Sequence, residues 1–232
     1  MSDKNFARID ATRLNWKSFF LQIWSTYLLI FPIIALFYRL SFSGRENIPK
    51  NKKFIYAPNH ISFLDPHMVF LAVRKPMTYM AKQELFENKF LRWAMTKLCA
   101  FSVNRNKLEV STIKSVKDIM KTDKWNLCIF PQGGIFRNKK IERINRGFVV
   151  IAKMSKTDIL PMSIVGSEKY NWIPFKGKIQ VKIGKPISYE LPDKEIIDEW
   201  GRQVSEMSGY EYISDTWMTE EQIAEREKAL SN

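Results

Sequence analysis

The sequence predicts an α/β fold: a single layered domain with a mixed, mostly parallel sheet flanked by helices, preceded by an N-terminal apolar membrane-associated helix. Three observations predict it. Short apolar runs that stop at proline or glycine alternate with stretches of helical periodicity, the pattern of strand–helix units. The chain has 232 residues, 45% of them hydrophobic, which is ample for one large α/β core. Residues 18–38 carry no charge. The organisation that follows is a membrane-associated helical segment over residues 1–40 and a layered domain over 41–232, ending in a helical acidic tail.

The uncharged stretch SFFLQIWSTYLLIFPIIALFY reaches the ~20 residues that cross a bilayer core. Gln22, Ser25, Thr26 and Pro32 interrupt its apolar character, and Pro32 is expected to kink a helix. Trp16 and Trp24 at one side and Tyr38 at the other are expected as interfacial anchors. Three readings stand: a single span, a kinked helix lying in one leaflet, and a buried core helix. No small-residue cleavage site follows, which argues against a signal peptide. Bases cluster after the segment (Arg39, Arg45, Lys50, Lys52 and Lys53), which places the domain on the cytoplasmic side of the membrane.

The elements of the domain follow in order. Residues 53–57 (KFIYA) form a short buried strand ending at Pro58. Asp65-Pro66 opens a helix with MVFLAV as its body. Residues 77–81 form the next strand, 85–98 a helix and 101–103 a strand that runs into Asn104-Arg105. An amphipathic helix covers 110–120, with Val110, Ile113, Val116, Lys117 and Met120 at near-helical spacing. Residues 126–130 (NLCIF) form a buried strand ended by Pro131 and Gly133-Gly134. A helix at 148–154, strands at 159–165 and 178–183, and a mostly helical tail beyond residue 193 complete the chain.

The net charge is +13, yet beyond residue 189 twelve acids face four bases, so the body is more basic than the whole. Such a body favours an anionic partner, a nucleic acid or an anionic membrane surface. No nucleic-acid motif is present, and the apolar segment favours the membrane. Cys99 and Cys128 are the only cysteines and form no C-x-x-C pair, so no metal site is expected.

Both histidines, His60 and His67, lie in APNHISFLDPH. On one regular helix His60 and Asp65 would lie about 140° apart. They meet if His60 sits on a loop and the helix starts near Asp65. Ser62-x-x-Asp65 resembles a capping box, and Pro66 suits a first turn. Asp65 then accepts the Nδ1 proton of His60 and leaves Nε2 as a base, or else only caps the helix. His67 points away from Asp65 and reads as a partly buried histidine on the helix surface.

The stretch Asn59-His60-Ile61-Ser62-Phe63-Leu64-Asp65 resembles the N-H-x-x-x-x-D motif of the glycerolipid acyltransferases, among them the lysophosphatidate (1-acylglycerol-3-phosphate) acyltransferases. Ala81-Lys82-Gln83-Glu84-Leu85-Phe86 resembles the family's A-K-x-E-L-F, and Val103-Asn104-Arg105 its V-D-R. Phe130-Pro131-Gln132-Gly133 resembles F-P-E-G, and Ile159-Leu160-Pro161-Met162 the final V-x-P-V. The ordered set spans roughly residues 40–190.

The resemblance implies direct acyl transfer from acyl-CoA or acyl-carrier protein to a hydroxyl of a lyso-lipid acceptor, with no cofactor and no metal. It implies His60 as general base, Asp65 as its orienting partner, Arg105 as acceptor-phosphate ligand and Lys82 as added positive charge. Gln132, Gly133 and Gly134 are expected at the acceptor site, with glycine N–H groups approaching an anion. The chain departs from F-P-E-G-T-R-S at Gln132 and Ile135. That departure leaves open another lyso-lipid or glycolipid acceptor, or a non-catalytic lipid-binding relative.

Overall fold

The computed structural model describes residues 14–97, 99–103, 109–169 and 171–214. Seven strands form the main sheet: β1 (Tyr38–Ser43), β2 (Ile55–Pro58), β3 (Met77–Lys82), β4 (Ala100–Val103), β5 (Asn126–Cys128), β7 (Ile159–Val165) and β8 (Gly177–Ile183). Their order across it is β1-β8-β7-β2-β5-β3-β4. Every pairing is parallel except β7 with β8. A short parallel pair joins β6 (Lys140–Ile141) to β9 (Glu211–Tyr212). The mixed, mostly parallel sheet is therefore as expected. All four residues of β2 are buried, the mark of a central parallel strand covered on both faces.

The helices of the domain are α3 (Asp65–Val73), α4 (Lys89–Lys97), α5 (Val110–Lys121), α6 (Gly147–Ser155) and α7 (Asp193–Ser208). Trp200 of α7 is fully buried, and its indole Nε1 donates to the Ala57 carbonyl oxygen at 2.8 Å, tying α7 to β2 just before His60. Part of the basic character of the body is structural. Arg45 donates to the carbonyls of Leu71 and Ala72 at the end of α3, and Lys53 to those of Ile119 and Met120 at the end of α5. Both cations sit at a helix C-terminus, where the helix dipole is negative.

Three expectations for elements are corrected. The helix expected over 85–98 is a 3₁₀ turn at Gln83–Phe86 followed by α4, because Asn88 caps the N–H groups of Phe90 and Leu91 and restarts the helix. The buried face of α5 runs through Thr112, Ser115, Val116 and Ile119, whereas Val110 is exposed. The expected boundary at residue 40 falls inside β1, which pairs with β8 over its whole length, so the apolar segment enters the sheet without a linker. The acidic tail is helical through Ser208, and its remainder from residue 215 lies outside the described residues.

The apolar segment is a 22-residue helix, Trp16–Phe37, built as α1 (Trp16–Trp24), a π-helical turn (Ser25–Ile30) and α2 (Phe31–Phe37). The π turn closes with the Phe31 N–H on the Thr26 carbonyl, just before Pro32 removes a donor. Only Gln22, Thr26 and Ile34 of the helix are buried, which sets aside a buried core helix. Its exposed apolar residues step along one side: Trp16, Phe20 and Trp24, then Leu28 and Leu29 within the π turn, and Ile33 and Leu36 after it. Its polar residues face the domain. The Gln22 amide bonds both the carbonyl and the N–H of Met77, and Thr26 Oγ1 lies 3.2 Å from His67 Nδ1. Tyr38 is not an exposed anchor. It is buried, donating to the Lys169 carbonyl at 2.7 Å and accepting the Asn171 N–H.

Burial holds the His67 imidazole well below its ordinary 6.5, at about 4. The unfolded chain therefore takes up a proton between pH 6.5 and 4 that the folded chain refuses. The resulting stability is present above pH 6.5 and lost as pH falls toward 4. In urea unfolding of wild type and His67→Gln at pH 7 and pH 4.5, His67→Gln is expected to show the smaller loss of stability between the two. Equal losses in both proteins would remove His67 as a source of acid sensitivity.

Candidate active site

The carboxyl ends of β7, β2, β5 and β3 lie side by side, the place where parallel sheets hold ligands. Each contributes one piece of the site. His60 follows β2, Phe130 follows β5, Lys82 ends β3 and Ser167 follows β7. Asn59 carries the chain out of β2. Fully buried, it accepts the Ile164 N–H at 2.7 Å and donates to the Ile164 carbonyl at 2.9 Å. An amide side chain thus extends the ladder by one rung while the backbone leaves the sheet, and His60 projects from that point.

The loop at 60–64 is what His60 and Asp65 needed to meet. His60 Nδ1 lies 2.9 Å from Asp65 Oδ2, and Asp65 is the first residue of α3. The same oxygen accepts the N–H groups of Ile61 at 2.7 Å and Ser62 at 2.8 Å. Asp65 Oδ1 accepts the hydroxyl of Ser167 at 2.7 Å. Asp65 is fully buried, and all of its contacts come from donors or from a ring nitrogen able to donate. Half of the capping box is present: Asp65 reaches back to the Ser62 N–H, whereas Ser62 Oγ accepts from Leu64 at 3.3 Å and not from Asp65.

Ser167 reaches Asp65 because Gly166 turns the chain at the end of β7. Gly166 has φ +93°, and a Cβ there would collide with the Lys178 carbonyl oxygen. The His60 ring stacks on Phe130 with centroids 4.0 Å apart and planes at 25°. The backbone behind it is clamped: the His60 carbonyl accepts the Phe136 N–H at 2.8 Å, and the Ile61 carbonyl accepts from Arg137 Nε at 3.3 Å. Sequence reasoning missed Asn59 as a brace, Phe130 as a stacking platform and Ser167 as an Asp65 partner. For Ser167 the available signal was a glycine directly after a strand.

His60 opens on a cavity of about 380 Å³. Met80, Leu85, Leu91, Met95, Phe148 and Ile151 give it an apolar wall, the size and character of a ligand pocket. Lys82 lines it too, 3.1 Å from Glu84, so its charge is shared with that partner.

The FPQGG stretch behaves differently from expectation. Gly133 lines the cavity, but its N–H closes a turn on the Phe130 carbonyl at 2.9 Å and is not offered to a ligand. Gly134 lies one residue beyond, half-buried and outside the cavity wall. Gln132 is 1% exposed and also outside that wall; its Nε2 donates to the carbonyls of Lys140 at 3.4 Å and Glu142 at 3.3 Å. Only an amide can donate to both carbonyls, so a carboxylate in this orientation would meet two acceptors. Arg105 lies outside the described residues.

His67 also lines the cavity, away from Asp65. Cys99 and Cys128 are both buried, and burial pushes the Cys99 thiol up to about 12 and the Cys128 thiol up as well, which suits neither for nucleophilic attack. Among the described residues no group of three or more His, Cys, Asp and Glu could hold a metal ion.

Residues 39–165 match the family model described as Acyltransferase. The 1-acyl-sn-glycerol-3-phosphate acyltransferase of Bacillus subtilis (strain 168) is 31% identical over 157 residues, covering 66% of this chain and 77% of that protein. The protein of the same name from Streptococcus pneumoniae is 28% identical over 148 residues, covering 63% of this chain and 54% of that protein. The crystal structure of a 1-acyl-sn-glycerophosphate (LPA) acyltransferase from Thermotoga maritima shares the fold, with TM-score 0.59, 21% identity and coverage of 82% of this chain and 79% of that one.

Gln132→Glu is expected to destabilise the fold by about 1–3 kcal/mol, the cost of a buried polar group facing acceptors. The change restores the family's F-P-E-G residue, yet urea denaturation at pH 7 should show a lower midpoint. An unchanged midpoint would show that the Gln132 amide does not brace the loop.

Proposed function

The chain belongs to the acyltransferase family, and from that premise we propose that it moves a fatty acyl group from a thioester, acyl-CoA or acyl-carrier protein, to the free hydroxyl of a 1-acylglycerol-3-phosphate in phospholipid biosynthesis. The observation that carries the reading is the His60–Asp65 pair, 2.9 Å apart, at the mouth of an apolar cavity.

Asp65 holds the Nδ1 proton, which leaves Nε2 unprotonated and turned to the acceptor. As the acceptor oxygen attacks the thioester carbonyl carbon, its proton passes to His60 Nε2. The tetrahedral intermediate collapses with cleavage of the C–S bond, and the imidazolium returns the proton to the departing thiolate. The acyl group passes directly to the acceptor, with no acyl-enzyme and no cofactor. Asp65 stabilises the imidazolium by charge, and the face of Phe130, stacked on the ring, adds a cation–π contribution. The acyl chain lies along Leu85, Leu91 and Met95. By resemblance Arg105 binds the acceptor phosphate, with Lys82 contributing charge at the rim.

The enzyme works at the cytoplasmic face of a membrane, with the Trp16–Phe37 helix lying in one leaflet. The contacts of Gln22 with Met77 and of Thr26 with His67 support this. A helix standing across the bilayer would carry α3 and the start of β3 into hydrocarbon. Lying flat, it offers its exposed stripe to the acyl chains and keeps its polar side on the domain.

The test is thiol release from acyl-CoA and acyl-carrier protein over a panel of lyso-lipid acceptors. His60→Ala should lower the rate by about 10²–10⁴-fold while the circular dichroism spectrum is kept. Near wild-type turnover in His60→Ala would overturn the general-base role. A preference for an uncharged lyso-lipid would overturn the acceptor.

A further inference from the structure

A second cavity, of about 680 Å³, lies beside the β1–β8 edge and the end of α7. It shares no lining residue with the cavity at His60. Four lysines converge on it from three parts of the chain: Lys139 from the loop after β5, Lys169 and Lys176 from the β7–β8 connection, and Lys178 from β8. One carboxylate faces them, Glu168, and its Oε2 accepts the Gly166 N–H at 2.9 Å. Some lysines of the body are paired, such as Lys52 with Asp158 and Lys153 with Asp193. The four in the cleft form no ion pair among the described residues. Like charges gathered with so little counter-charge repel one another, and a bound anion relieves that repulsion.

The rim of the cleft identifies the source of the anion. Trp172, Ile173 and Phe175 are 77%, 54% and 60% exposed, a cluster of large apolar side chains at one loop tip. The tip is fastened to the end of the apolar helix. The Phe175 N–H donates to the Leu36 carbonyl at 2.9 Å, Asn171 Nδ2 donates to the Phe37 carbonyl at 3.0 Å, and the Trp172 ring meets the Phe37 ring edge-on at 5.8 Å. Phe175 holds a left-handed φ of 59° to make this approach, a conformation costly for a bulky residue. Leu36 ends the exposed stripe of the helix, so the tip continues it.

We propose that the Lys139/Lys169/Lys176/Lys178 cleft binds the phosphate head group of an anionic phospholipid, while Trp172, Ile173 and Phe175 enter the same leaflet as the helix. Aromatic side chains favour the interfacial layer, and lysines just beside them reach head-group phosphates. A cleft serving only the phosphates of a soluble donor has no need of an apolar rim. The helix alone fixes one line of contact with the membrane; the cleft adds a point off that line and sets the tilt of the domain.

The proposal rests on the membrane attachment argued above, and vesicle binding separates the two. Binding of the full chain is measured to phosphatidylcholine vesicles with and without phosphatidylglycerol. The Lys169→Ala/Lys176→Ala/Lys178→Ala variant is expected to lose about tenfold or more of the affinity gained from phosphatidylglycerol and to keep its affinity for phosphatidylcholine. The matching arginine triple should retain the gain, and Trp172→Ser should weaken binding to both vesicles. An alanine triple with an undiminished phosphatidylglycerol gain would overturn the proposal. So would a higher KM for acyl-CoA in that triple with vesicle binding unchanged, which would assign the cleft to a soluble phosphate donor. Wild type that binds neither vesicle would sink the membrane reading as well.

Discussion

The carboxylate of Asp65 organises the site. It is fully buried, and its contacts come from two places: the loop after β2 and the loop after β7. A buried anion is tolerable only when its oxygens are satisfied by donors. That requirement draws the ends of β2 and β7 together and holds α3 against them. His60 benefits from the arrangement without causing it. Its Nδ1 is one partner of an oxygen that already accepts two backbone N–H groups, so the imidazole is held by a framework that forms for electrostatic reasons. Asn59 and Phe130 complete that framework from neighbouring strands.

Much of this was legible in the chain because it is local. The break between His60 and Asp65 follows from helical angles and from Ser62 and Pro66, and the strand at Ile159–Val165 from a bounded apolar run. What escaped was decided by distant partners. Residues 38–43 become a strand only because β8 offers a parallel edge, while in sequence they trail an apolar helix. Ser167 is remote from Asp65 along the chain and meets it only once β7 is in the sheet. Gln132 reads as a softened glutamate at a ligand site, whereas its amide faces two carbonyls of its own loop. Composition likewise could not tell apart the basic residues that cap helix ends, such as Arg45 and Lys53, from those that stand in a cleft, such as Lys169 and Lys176.

Placement of apolar surface follows a similar logic at larger scale. The helix turns Gln22 and Thr26 inward and leaves Trp16, Phe20 and Trp24 outward, the reverse of a water-soluble amphipathic helix. Its polar residues, which weaken it as a simple bilayer span, are the ones that fasten it to the domain. The two sides of α4 are divided in a comparable way, with Leu91 and Met95 lining the cavity while Phe90 and Trp93 stack on each other in the open.

The π-helical turn at Ser25–Ile30 acts as a phase correction. A residue every fourth position on a regular α-helix drifts by about 40° per step, so a stripe of seven side chains would wind away from any flat surface. One wider turn takes back part of that drift midway, and the outward set passes from Leu28 to Leu29 without leaving its side. The helix is also fixed at both ends, by Gln22 on Met77 and by the run into β1, so it has no freedom to rotate as a whole. Length and phase of this segment are therefore set jointly. A one-residue insertion or deletion between Thr26 and Tyr38 would turn one part of the stripe toward the protein, and the chain could restore it only by a second change of the opposite sign nearby.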